Sequence, residues 1–268
     1  MNIKEINSKT ALSPSKLPGL DYTLNPYFGC GHQCKYCYVP TVLHISRETW
    51  GETIAVKRNL PLILSKELPK KKPGTVGIST VTDPYQPIEK KYHVTRYCLQ
   101  QLLKYDFPIQ IQTKSDLILT DIDLIEQFSH AEIMITIATN NDTHRKILEP
   151  SASSIKDRLH ILEVLKDNQF IKTNVFLGPL YPNLTWNEIK TLLDSLIEKK
   201  VSTIMIDNVH LKPGLRSHLT PILKQDTSLY NGFLDHVFNP SDWYRKIAIN
   251  IDEYVNKKTS KIHITNAF

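Results

Sequence analysis

From residue 75 onward, short apolar runs alternate with stretches whose apolar residues recur three and four apart. The runs at residues 75–79 (TVGIS), 108–112 (PIQIQ), 132–137 (EIMITI), 171–177 (IKTNVFL) and 202–206 (STIMI) have the length and β-branched content of strands. Between them, residues 93–105 put Val94, Cys98 and Leu102 on one helical stripe. Residues 121–128 and 155–165 also read as helices, the latter opening on Ser154-x-x-Asp157, a capping-box pattern. A second such box, Thr185-Trp186-Asn187-Glu188, precedes Ile189, Leu192, Leu193, Leu196 and Ile197 at helical spacing. Upstream, residues 22–28 form a short strand, 52–57 alternate like one, and 60–68 suggest a short helix. Pro14, Pro18 and Gly19 make residues 1–20 an irregular lead-in.

Strand–helix alternation with short connections implies βαβ units and a parallel sheet. The strands expected in it lie at about 22–28, 75–79, 108–112, 132–137, 171–177 and 202–206. An open, partial barrel and a flat doubly wound sheet both fit that count. With 268 residues, 41% of them hydrophobic, the chain suffices for one α/β barrel or two small domains. No apolar run reaches membrane-spanning length. The first residues lack a signal peptide's apolar stretch, so a soluble cytoplasmic protein is expected. The formal charge of +6 permits a nucleic-acid partner without requiring one. Its one local run, Lys70-Lys71-Lys72 between two prolines, reads as a solvated turn.

Candidate chemistry changes this picture most at Asn25–Tyr38 (NPYFGCGHQCKYCY). Three of the four cysteines stand there as Cys30-x3-Cys34-x2-Cys37. Clustered soft thiolates suit iron–sulfur clusters, zinc or copper(I) rather than a disulfide framework. A [4Fe–4S] cluster usually takes four cysteines, and three leave one iron open to another ligand. Parallel α/β folds place their chemistry at the carboxyl ends of strands. There the chain carries the cysteines, then Thr80–Pro87, then Thr113-Lys114-Ser115. The next three ends carry Ala138–Asp142, Gly178–Pro182 and Asp207–His210.

The set resembles a known family. The cysteine spacing after a first strand is similar to that of the radical S-adenosylmethionine (SAM) superfamily. NPYFGCGHQCKYCY, TDPYQPIE at residues 82–89, Thr113-Lys114-Ser115, and Arg145-x3-Glu149-Pro150 with Arg158 together resemble its spore photoproduct lyase-related, photolyase-like group. The resemblance runs over about residues 13–210. It implies a partial (β/α)6 TIM-type barrel of parallel strands at residues 21–210, after the lead-in 1–20. A C-terminal helical extension, 211–268, would pack on it and help close its open side.

The resemblance also implies a radical SAM enzyme, lyase-like, with Cys30, Cys34 and Cys37 as ligands of a [4Fe–4S] cluster. The amino and carboxylate groups of SAM would chelate the fourth iron. An electron from the cluster would cleave SAM to methionine and a 5′-deoxyadenosyl radical, which abstracts hydrogen from substrate. An external flavodoxin- or ferredoxin-like donor is the implied partner, and nucleic acid is a compatible substrate. By analogy Tyr36 and Tyr38 lie near the adenine or the radical. Thr82 corresponds to a hydroxyl at the SAM amino group, Lys114 to a lysine near the SAM carboxylate, and Thr136 and Thr139 are placed to reach the ribose. For Arg158 with Glu149, a polar bridge beside the cofactor and a structural ion pair are both open.

The sequence departs from the lyases at residues 79–81 (STV), where they carry a hydrogen-donating cysteine. Cys98 reads as a core residue on its apolar stripe and not as a substitute. Thymine-dimer repair by that route is therefore not expected. A competing reading is zinc on Cys30, His32, Cys34 and Cys37, although this crowds all four ligands into one very short loop. Another is a nucleic-acid-binding module with a structural metal and no SAM chemistry, for which no binding motif is present. Trp186 reads as a packing residue. Trp243-Tyr244-Arg245 suits substrate contact or packing.

Overall fold

The computed structural model describes residues 2–268. Its strands are β1 (Asn2–Ile6), β2 (Ser13–Pro14), β3 (Tyr22–Leu24), β4 (Tyr27–Phe28), β5 (Thr53–Lys57), β6 (Val76–Ile78), β7 (Ile109–Thr113), β8 (Ala131–Thr136), β9 (Ile171–Leu177), β10 (Thr203–Ile206) and β11 (His263–Asn266). Its helices are α1 (Val39–Val42), α2 (Leu60–Glu67), α3 (Glu89–Tyr92), α4 (Val94–Leu103), α5 (Ile122–Ile125), α6 (Asp142–Leu148), α7 (Ile155–Leu165), α8 (Trp186–Glu198), α9 (Leu215–Leu223), α10 (Thr227–Phe233) and α11 (Trp243–Lys258). The chain forms two compact units.

The first unit comprises Met1–Gln33, Glu48–Met134 and Asn168–Lys172. In it β3, β6 and β7 pair in parallel, with Tyr22 opposite Val76 and Val76 opposite Ile109. Leu24, Val76, Ile78, Ile109 and Ile111 are buried, which is why these runs read as apolar. Helices α2 and α4 pack together through buried residues on one stripe of each, Leu60 and Leu64 on one, Val94, Cys98 and Leu102 on the other. A small second sheet has β1 parallel and β4 antiparallel to β5.

The second unit comprises Cys34–Arg47, Ile135–Asp167 and Thr173–Phe268. Here β9, β10 and β11 run parallel. Both expected caps are present. Ser154 Oγ accepts from Asp157 N, and Thr185 and Glu188 complete a capping box. That box starts α8, whose apolar face buries Ile189, Leu192, Leu193 and Leu196. Trp186 packs edge-on against Tyr254 of α11, with ring centroids 5.8 Å apart.

Four details differ from the sequence reading. The strand expected at about 22–28 is two short ones, β3 pairing with β6 and β4 with β5 of the small sheet. The lead-in is not wholly irregular, because β1 pairs along its length with β5. The helix expected at 121–128 is only four residues long, Ile122–Ile125, and follows a 3₁₀ segment at Asp116–Asp121. The buried Asp121 carboxylate there takes Arg96 and Tyr85 as partners. Finally, 211–268 is helical as expected but also supplies β11, which pairs with β10.

Candidate active site

The thiol loop leaves β4 through Gly29, at φ +84°. A Cβ there would meet the Thr53 carbonyl oxygen at 2.6 Å, so the turn requires glycine. Cys30 is buried, and Cys34 and Cys37 are half-buried. None of the four cysteines is joined in a disulfide. Tight turns space them: Gln33 N donates to Cys30 O (3.4 Å) and Cys37 N to Cys34 O (3.2 Å). Among the described residues, no three His, Cys, Asp or Glu side chains are gathered at metal-binding distances.

In the first unit, the stretch after β6 grips the Cys30 end of the loop. The fully buried Gln86 accepts from Gly31 N (2.7 Å) and donates to Gly29 O (3.3 Å), bracketing Cys30. Thr82 Oγ1 donates to the same Gly29 carbonyl (2.6 Å) and accepts from Gln86 (2.9 Å). Asp83 joins two strand ends. Its carboxylate accepts from Thr113 Oγ1 (2.7 Å) and Lys114 N (2.9 Å), just after β7, and faces His32 Nε2 at 3.2 Å. Burial pushes the Asp83 carboxyl up. The His32 charge and the three donors outweigh burial and pull it down to about 2. His32, a zinc ligand under the competing reading, thus pairs with a carboxylate.

In the second unit, Tyr36 lies between Cys34 and Cys37 and is buried. Its hydroxyl donates to Glu149, which also accepts from Arg158. Arg158 is 0% exposed and donates further to Thr136 O (3.0 Å) and Ser153 O (3.0 Å). Lys35 N donates to Leu148 O (2.8 Å) at the end of α6. Arg47 donates from Nη1 to Cys37 O (2.5 Å) and from Nη2 to Thr41 Oγ1. Burial, reinforced by the charges of Glu149 and Cys34, holds the Tyr36 hydroxyl well above the usual tyrosine range, so it stays a donor.

The structure therefore brings Thr82 to the thiol loop, and brings Arg158, Glu149 and the Thr136 carbonyl to Tyr36. Thr136 and Thr139 are buried, and Thr139 Oγ1 accepts from Asn141 N (3.1 Å). Lys114 uses its backbone N–H on Asp83. Tyr38 is exposed. Cys98 is fully buried on α4, and burial pushes its thiol up, which leaves an inert core residue. Sequence reasoning assigned no role to Gln86, Asp83, Arg47 or Tyr181. Gln86 and Asp83 stood inside the TDPYQPIE motif, and their polarity beside two prolines was the available signal.

A family model for the radical SAM superfamily matches residues 24–196. This chain belongs to the radical SAM superfamily. A Methanocaldococcus jannaschii protein described as uncharacterized is 36% identical over 185 residues, 69% of this chain and 70% of that one. A radical SAM Nα-GlyT isomerase of Pseudomonas phage M6 is 28% identical over 174 residues, 64% of this chain and 36% of its own length. In fold, spore photoproduct lyase complexed with dinucleoside spore photoproduct matches with TM-score 0.72 at 14% identity, over 98% of this chain and 81% of that one. Streptococcus suis SuiB bound to SAM matches with TM-score 0.60 at 12% identity, over 92% and 50%. The expected fold class is borne out: α/β with a mostly parallel sheet, in the partial-barrel class of spore photoproduct lyase. This radical SAM enzyme has no helix among the described residues long and apolar enough to cross a membrane.

The residues fit the group the family implies. The donor set is three cysteine sulfurs outside any disulfide, the soft ligands that iron–sulfur clusters take. In addition, the Tyr181 hydroxyl is buried and has no hydrogen-bond partner among the described residues.

Proposed function

We propose that Cys30, Cys34 and Cys37 hold a [4Fe–4S] cluster at which SAM is reductively cleaved for hydrogen abstraction from substrate. The observation carrying this is the loop itself. Three cysteines outside any disulfide fall within eight residues, inside the matched family segment. When bound, cluster and SAM supply one-electron cleavage of the sulfonium and a 5′-deoxyadenosyl radical.

The chain's own task is to bind, orient and exclude water. Gln86 and Thr82 fix the peptide groups on either side of Cys30. Lys114 suits the SAM carboxylate. Thr136 and Thr139 suit the ribose, and Tyr36 and Tyr38 the adenine side. Of the two roles open for Arg158, complete burial favours the indirect one: through Glu149 it fixes Tyr36. The electron comes from a flavodoxin- or ferredoxin-like donor. Residues 79–81 carry no thiol, so cysteine-mediated hydrogen return at that position is not part of the reaction. Spore photoproduct lyase binds a dinucleoside and SuiB a precursor peptide, so both nucleic acid and peptide belong in a substrate screen.

Metal analysis of anaerobically reconstituted protein tests the cluster. About four iron and four sulfide per chain are expected for one [4Fe–4S] cluster, and loss of both in Cys34→Ala. One zinc without sulfide would favour the zinc reading instead.

A further inference from the structure

Tyr181 follows β9, and the backbone around it is held by several hydrogen bonds. Its backbone N–H donates to Ala138 O (3.0 Å), and its carbonyl accepts from Leu184 N (3.2 Å). The preceding Leu180 donates to Asp207 O (3.0 Å) and accepts from the Tyr244 hydroxyl (2.8 Å). The ring meets Tyr36 edge-on, with centroids 6.2 Å apart at 77°. Tyr181 is 0% exposed, yet among the described residues its hydroxyl has no hydrogen-bond partner.

A buried hydroxyl without a partner is costly to keep, so a site that keeps one invites the question of what satisfies it. The direction is set by its surroundings. The ring it meets edge-on belongs to Tyr36, which stands between Cys34 and Cys37 in the thiol loop. Glu149 already accepts from Tyr36 and Arg158. A phenol carries its proton at neutral pH, so the hydroxyl has a donor to offer.

We propose that the Tyr181 hydroxyl donates a hydrogen bond to the cofactor assembled on the Cys34 side of the thiol loop. This rests on the cluster-and-SAM reading above. The acceptor chemistry is an electron-rich sulfur or oxygen, supplied by the cluster or by SAM, and the two sources are separable. A donor to cluster sulfur raises the reduction potential, whereas a donor to SAM strengthens SAM binding alone.

The test compares wild type with Tyr181→Phe, both apo and reconstituted. Apo Tyr181→Phe should unfold at the same or higher urea concentration, because it only removes an orphan. In reconstituted protein without SAM, a lowered midpoint potential would place the acceptor on the cluster. An unchanged potential with SAM binding weakened about tenfold, equivalent to about 1.4 kcal/mol, would place it on SAM. Unchanged potential and unchanged SAM affinity would overturn the inference. So would an apo variant less stable than wild type, which would mean that the hydroxyl has a partner in the protein. If wild type itself takes up no cluster, the underlying reading falls, and this inference with it. A loaded wild type with an indistinguishable variant sinks this inference alone.

Discussion

Gln86 shows how much rests on one uncharged side chain. In Gln86→Leu the Gly29 carbonyl keeps Thr82 as donor, but the buried Gly31 N–H loses its acceptor. The expected cost is about 1–3 kcal/mol, read from urea unfolding of apo protein. Stability equal to wild type would show that the bracket does not hold the loop. Glu149→Ala should cost more, about 3–5 kcal/mol, because it strands the buried Arg158 charge. A loss below 1 kcal/mol, within the range of an exposed pair, would contradict that burial. Cys98→Ala should leave iron content at the wild-type level, in contrast to Cys34→Ala; a large loss would show that Cys98 is not the inert core residue its burial indicates. At this scale the cysteines were legible because their spacing is local in the chain. Gln86 acts on a peptide group 55 residues away. Neither that contact nor the orphaned Tyr181 hydroxyl leaves a local trace in the sequence.

Among elements, the junction of α3 and α4 has the clearest pH signature. His93 turns the chain at φ +52°, and the Glu89 carboxylate reaches forward to accept from Thr95 N (3.1 Å) and Arg96 N (3.2 Å), capping α4 from the preceding helix. Burial raises the Glu89 carboxyl from 4.5 to about 7, against the pull of Tyr27, Thr95 and Arg96. A carboxyl raised by folding binds its proton more tightly in the folded state. Its contribution to stability is therefore full below about pH 4.5 and is lost as the pH rises through about 7. Glu89→Gln should flatten the fall in stability across that window, measured by urea unfolding at stepped pH; parallel profiles would contradict the assignment. Strands β3, β6, β7, β8, β9 and β10 were legible because apolar runs mark sheet interiors. Strands β1, β2 and β11 were missed because their residues are largely exposed and carry little apolar signal. The expected helix at 121–128 is shortened where Asp121 is drawn to Arg96 and Tyr85.

For the whole molecule, the family match covers residues 24–196, and the solved-structure likeness extends over 98% of the chain. The strand–helix alternation made the fold class readable, because each βαβ unit repeats the same pattern of apolar run and amphipathic stretch. Residues 211–268 carried less information, and their contribution of β11 depends on pairing with a distant β10. The central claim is that the Cys30–Cys37 loop is where SAM is cleaved. Reconstituted protein incubated anaerobically with SAM and dithionite tests it most directly. The account predicts 5′-deoxyadenosine formation that disappears in Cys30→Ala, Cys34→Ala and Cys37→Ala. Fully cluster-loaded wild-type protein that releases no 5′-deoxyadenosine would contradict it.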